Sequence, residues 1–146
     1  MKRSALAFVF ALLATACAGS GGRQGDDSEF VVDFEAVLDG RGPYADVTGT
    51  VRALASLGAT AVTIGLSGTQ PGAVHPWHIH YGRCGSGGSV VGPERGYPLL
   101  TADAEGSDRV TTTIPVQLDD ATRYHVNVHL SEERQEVIVA CSDLLD

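Results

Sequence analysis

The chain has 146 residues, with 18 acidic side chains against 10 basic ones and a formal charge of −8. That length buries one modest hydrophobic core and no more. A surface this acidic repels nucleic acid and anionic lipid, which sets aside a polyanion-binding role.

At the N-terminus Met1-Lys2-Arg3 is basic, Leu6 to Leu13 is apolar, and small residues lead to Cys17. This is the order of a secretory signal, expected over residues 1–16, and its apolar run is too short for a permanent membrane helix. Ala14-Thr15-Ala16 fits ordinary signal peptidase. Followed by Cys17, the same residues resemble a bacterial lipobox, with Ala14 where that pattern usually has leucine. The Gly/Ser/Asp stretch that follows cannot bury a core and reads as a flexible tether over 17–28. Such tethers follow lipidated cysteines, so the expectation is lipidation at Cys17 and a place in the bacterial cell envelope, at the periplasm or the outer surface. Loss of Lys2 and Arg3 takes the formal charge from −8 to about −10 and leaves no lysine.

Three cysteines are present, and with Cys17 assigned to lipid, Cys84 and Cys141 form an even pair in an oxidising compartment. A bridge between them closes a loop of nearly sixty residues, worth roughly 4 kcal/mol by chain entropy. The alternative is a pair of buried free thiols.

From residue 29 to residue 146 the pattern is period two, with no convincing helical periodicity. Phe30, Val32, Phe34, Ala36 and Leu38 share a face. Val47, Gly49, Val51 and Ala53 alternate with polar residues, as do Thr60, Val62, Ile64 and Leu66. Three more alternating runs are Val110 to Val116, Tyr124 to Leu130, and Val137 to Cys141. With turns between them and a Gly-rich loop over 82–96, these predict an all-β domain. The expected architecture is an antiparallel Greek-key sandwich or flattened barrel of seven or eight strands.

The five histidines lie in two windows, His75-Pro76-Trp77-His78-Ile79-His80 and His125-Val126-Asn127-Val128-His129. On strands, His78 and His80 project together, as do His125, Asn127 and His129, while Trp77, Ile79, Val126 and Val128 project the other way. The apolar sets must face the core, so both histidine sets are expected to face outward. On neighbouring strands they converge on one cation, and imidazole suits copper or zinc. A polar sheet face carrying surface histidines is the plain alternative. His75 and His125 are expected either to support the ligands from behind or simply to be exposed, and Asn127 shares the face of His125.

His78-Ile79-His80-Tyr81-Gly82-Arg83-Cys84, Val128-His129 and the closing Val139-Ala140-Cys141 resemble the Cu/Zn superoxide dismutases. The resemblance implies an eight-stranded Greek-key barrel with His78, His80 and His129 as three copper ligands, one ion per chain. It also implies a disulfide from Cys84 to Cys141. Gly88-Ser89-Val90-Val91 and Tyr124 to His129 are equally similar to the chordin-type (CHRD) domain, which shares those histidines.

The chain departs from the dismutase pattern at several places. No histidine lies between His80 and His125, so the zinc site and bridging ligand are missing. Ile138 stands where the family has its active-site arginine. Ser131 to Gln135 is too short for the loop that funnels superoxide inward, and an acidic domain repels that anion. The expectation is a copper-binding protein, zinc being the poorer fit, with little or no dismutase turnover. The alternatives are a copper-only dismutase or another three-histidine metalloenzyme, and an interaction module that binds no metal. The expected partners are the metal ion and, through lipid, the membrane. Of the arginines, Arg83, Arg95, Arg123 and Arg134 are the sequence-local candidates for a cation near the metal.

Overall fold

The computed structural model describes residues 31–145; the signal sequence, Cys17, the tether and Phe30 lie outside the described residues. Seven strands form one antiparallel sheet in the order β5-β8-β9-β1-β2-β3-β7. In chain order they are β1 (Val32–Gly40), β2 (Thr48–Ser56), β3 (Ala59–Ser67), β5 (Trp77–Tyr81), β7 (Asp108–Ile114), β8 (Tyr124–His129) and β9 (Ile138–Leu144). They correspond to the seven stretches read as strand from the sequence. A small second sheet pairs β4 (Val74–His75) with β6 (Leu100–Thr101). The sheet curls into a half-barrel. Among the described residues there is no α-helix, and so none long and apolar enough to cross a membrane.

The meander β1-β2-β3 is fixed by its apolar alternation. Phe34 stands opposite Ala53 and Ala53 opposite Val62, while Val51 stands opposite Ile64. A one-residue slip would put every one of these side chains into water, so the register is strongly specified. The β2–β3 turn has Leu57 and Gly58 both at positive φ, 47° and 81°. That is the backbone twist a two-residue hairpin requires. The links from β3 to β5 and from β7 to β8 cross from one end of the sheet order to the other, which brings β5 and β8 together.

The core is mostly apolar, with Trp77, Ile79, Val126 and Val128 fully buried beside Leu38, Ile64 and Ile114. Trp77 meets Tyr97 edge to face at 5.0 Å, and Phe34 meets Tyr124 likewise at 6.0 Å. The Trp77 indole N–H donates to the Pro98 carbonyl at 2.7 Å, so the largest core side chain leaves no polar group unpaired.

Two expectations are corrected here. Val116 lies beyond the end of β7 at Ile114. The ladder between β8 and β9 also shifts register at Val128/His129, after which Ala140 stands opposite Val128 and Cys141 opposite Asn127. Val137, Val139 and Cys141 therefore do not form one continuous face, because a bulge breaks the period of two.

Cys84 and Cys141 are joined by a disulfide, their Cα atoms 6.0 Å apart and 57 residues apart in sequence. Reduction is expected to lower unfolding free energy by about 4 kcal/mol, because the unfolded chain regains that loop's freedom. Urea melts with and without a reductant measure it. Coincident midpoints would show that the bridge does not carry this stability.

Candidate metal centre

Pairing of β5 with β8 builds the site. His78 stands opposite Asn127 and His80 opposite His125, with Ile79 opposite Val126 and Trp77 opposite Val128 between them. Because the apolar pairs occupy the core face, the polar pairs share the other face. His129, at the end of β8, lies diagonally across from His78, and its backbone N–H donates to the Pro76 carbonyl at 2.8 Å. Ligand nitrogens of His78, His80 and His129 all fall within 4.8 Å of one another.

The histidine face was expected to be outward, yet it is not exposed. His78, His80 and His129 are 6%, 9% and 5% exposed, and His125 is completely buried. The segment after β5 encloses them. From the bridged Cys84 the chain returns beside the outer edge of β5, where the Tyr81 N–H donates to the Ser89 carbonyl and the Val91 N–H to the Ile79 carbonyl. Val90 thereby bridges to His80. Gly88 must be glycine for this path, since a Cβ there would sit 1.6 Å from the Tyr81 carbonyl oxygen. Tyr97 closes another side with its ring edge to face on His78 at 5.3 Å.

Backbone carbonyls fix the tautomers. His80 Nδ1–H donates to the Gly88 carbonyl at 2.8 Å, and His129 Nδ1–H donates to the Gln135 carbonyl at 2.5 Å. A carbonyl only accepts, so each Nδ1 carries the proton and each Nε2 presents a lone pair. His78 turns its Nδ1 towards His129 Nε2, at 3.3 Å. Two nitrogens at about 2.05 Å from one ion take that separation at an angle of about 107°, close to tetrahedral. His80 Nε2 is buried with no hydrogen-bond partner. A desolvated acceptor of this kind costs about 1–3 kcal/mol unless something binds it. The set His78 Nδ1, His80 Nε2 and His129 Nε2 therefore fits one metal ion and leaves a coordination position open.

The remaining histidines are placed around this set. His75 is buried rather than exposed, and its Nδ1–H donates to the His129 backbone carbonyl at 3.0 Å. His125 is likewise not exposed; it stacks on His80 with ring centroids 5.2 Å apart and planes 19° from parallel. Asn127 is buried on the same face with its Oδ1 unpartnered. Arg83, Arg95, Arg123 and Arg134 are all exposed.

Sequence reading misses several contributors. Gly88 and Gln135 act through backbone carbonyls, which no side-chain pattern signals. Arg41, 43 residues upstream, lays its guanidinium against the Cys84 sulfur. Glu94 lies close enough to His129 for its charge to favour the imidazolium.

Burial favours the neutral form of His78, His125 and His129. His78 is pushed down to about 4, first by desolvation and then by the positive charges that His129 and His80 would carry. Desolvation lowers His125 and His129 in the same direction. The unfolded chain protonates a histidine near pH 6.5, whereas folded His78 resists down to about pH 4, so between these values the unfolded state binds more protons. Stability of the metal-free protein is therefore expected to fall as pH drops from about 6.5 to about 4. His78 alone contributes on the order of 2–3 kcal/mol to that fall. Urea midpoints at pH 7.5 and 4.5, with His78→Gln as a control that flattens the dependence, measure it; a pH-independent midpoint in the natural chain would refute the account.

No protein-family model matches this chain, and no curated protein matches it.

Proposed function

We propose that this chain is an exported, lipid-anchored protein that binds one copper ion at His78, His80 and His129, with little or no superoxide dismutase turnover. The observation that carries this reading is the orphaned, desolvated Nε2 of His80, converging with His78 and with a His129 whose Nε2 is left unprotonated. Three imidazoles without thiolate or carboxylate suit copper or zinc, and copper binds such nitrogen sites more tightly. The resemblance to the Cu/Zn superoxide dismutases and to the chordin-type domain supports the same three residues. Low turnover follows from Ile138 at the arginine position and from the exposure of the four sequence-local arginines. The disulfide supports an oxidising compartment, and Cys17 within its lipobox-like context supports the anchor.

Calorimetric titration of the protein without a histidine tag should give about one Cu(II) per chain, as the three converging nitrogens provide one site. Affinity should fall as pH drops towards about 4, where protons compete for the lowered His78 nitrogen. His80→Ala and His129→Ala should each abolish most binding. Gly88→Ala, which displaces the carbonyl orienting His80, should cost roughly ten- to hundredfold. Equal binding by the natural chain and the triple variant of His78, His80 and His129 would rule out this site. A copper-loaded protein dismutating superoxide near the diffusional ceiling of about 10⁹ M⁻¹s⁻¹ would instead make it an enzyme.

Anchoring has its own test. In a bacterial host the natural chain should partition into the detergent phase and Cys17→Ser into the aqueous phase. Equal membrane retention of both would refute lipidation at Cys17.

A further inference from the structure

Cys141 stands opposite Asn127, on the face of the sheet that carries the histidines. A cavity of about 390 Å³ opens there, lined by both bridged cysteines. It also reaches the groups that support the metal centre. Gln135, whose carbonyl accepts from His129 Nδ1–H, lines it, and so does Gly87, the neighbour of the Gly88 carbonyl that accepts from His80 Nδ1–H.

The bridge is accessible from this cavity at its Cys84 end. Cys141 is buried, but Cys84 is only half-buried. Beside it Gly85 and Gly87 are exposed, and a Cβ at either would meet nothing within 4 Å, so the space around both is open. Arg41, an exposed side chain, lays its guanidinium against the Cys84 sulfur. Arg41 and Glu136 are the charged residues of the lining, and the guanidinium is the one in contact with sulfur. A cation at that position attracts an incoming thiolate and stabilises Cys84 as one. Cys84 is also the foot of the segment that encloses the histidines. Its backbone N–H donates to Asp143 Oδ1 at 2.6 Å, its sulfur ties it to β9, and Gly88 follows four residues later.

We propose that a small thiol opens the Cys84–Cys141 bridge from this cavity, assisted by Arg41, and that opening lowers the metal centre's affinity by freeing the segment that orients His80. The inference rests on the reading of His78, His80 and His129 as metal ligands. The thiolate attacks Cys84 Sγ and forms a mixed disulfide there, while the broken bond leaves its electron pair on Cys141, which takes a proton from water. A second thiol displaces Cys84 from the mixed disulfide, with Arg41 beside the leaving sulfur. Two thiols thus become one disulfide, and the bridge gains two electrons and two protons. With Cys84 released, the Gly88 carbonyl loses its anchorage, and loss of a ligand-orienting partner costs roughly ten- to hundredfold in metal affinity. Linkage is reciprocal, so a bound ion makes the bridge harder to open by the same factor.

The test titrates the full chain with Zn(II), which has no redox chemistry of its own to confuse with the thiols. The bridged natural chain should bind it at least tenfold more tightly than the Cys84→Ser/Cys141→Ser variant. The natural chain gives the same quantity without any variant. In glutathione buffers at fixed free Zn(II), its reduction equilibrium, read as trapped thiols by mass, should move at least tenfold from the metal-free value. Near-ultraviolet circular dichroism of the reduced chain should stay native-like, and loss of all packing on reduction would overturn a local release. Arg41→Gln should slow opening of the metal-free chain by glutathione several-fold and leave zinc affinity of the bridged form unchanged; an unaltered rate would overturn the part given to Arg41. Tight zinc binding that ignores the state of the bridge would overturn this inference alone. No zinc binding by the bridged natural chain would instead overturn the three-histidine reading, and this inference with it.

Discussion

The pairing of β5 with β8 is the constraint from which the rest follows. Trp77 and Ile79 are fully buried and stand opposite Val128 and Val126, so neither strand can turn over or slip without exposing four core side chains. The cost of such a slip, at about 1.5–3 kcal/mol for each large apolar side chain exposed, far exceeds the preferences of the histidines between them. The apolar residues thus decide where the imidazoles point. The ligand directions are set before any ion arrives, which lowers the ordering entropy that binding must overcome.

Most of the fold was legible because its signals are local. The period of two marked all seven strands of the main sheet, and the Gly-rich stretch after Tyr81 was legible as loop. The three converging histidines were legible too, since residues two apart on a strand share a face. What was not legible depends on long-range contacts. Nothing in His78 or His80 themselves says that Val90 will pair beside His80, or that Gly88 will lie against the Tyr81 carbonyl. The expectation of an outward face was right about direction from the core and wrong about exposure, because a loop pinned at Cys141 returns along the edge of β5 and encloses the rings. Arg41 escaped for the same reason. It reaches the Cys84 sulfur across 43 residues, while the arginines nearer in sequence stay exposed.

That enclosure changes the chemistry as well as the exposure. Surface imidazoles would titrate near pH 6.5 and keep water on both nitrogens. Here desolvation lowers His78, His125 and His129, and the carbonyls of Gly88 and Gln135 accept hydrogen bonds from the Nδ1–H of His80 and His129. Burial and hydrogen bonding thus work together. The first favours neutral rings, and the second decides which nitrogen of each ring is free.

The bulge at Val128/His129 completes the arrangement. In an unbroken ladder β9 would continue its pairing past His129, and Val139 would take a regular place opposite β8. With the shift, Ile138 stands opposite His129, while on the other edge of β8 the register with β5 continues and the His129 backbone N–H donates to the Pro76 carbonyl, between β4 and β5. Proline has no N–H of its own, so at this position the strand can accept a hydrogen bond but not return one. The return contact comes from the His75 side chain, whose Nδ1–H donates to the His129 carbonyl. His129 is therefore held at its N–H, its carbonyl and its Nδ1 by three different residues, while its Nε2 lies 3.3 Å from His78 Nδ1. A histidine whose other polar groups are all committed, and whose remaining nitrogen faces two further imidazoles in a desolvated cleft, is arranged for a ligand rather than for the core.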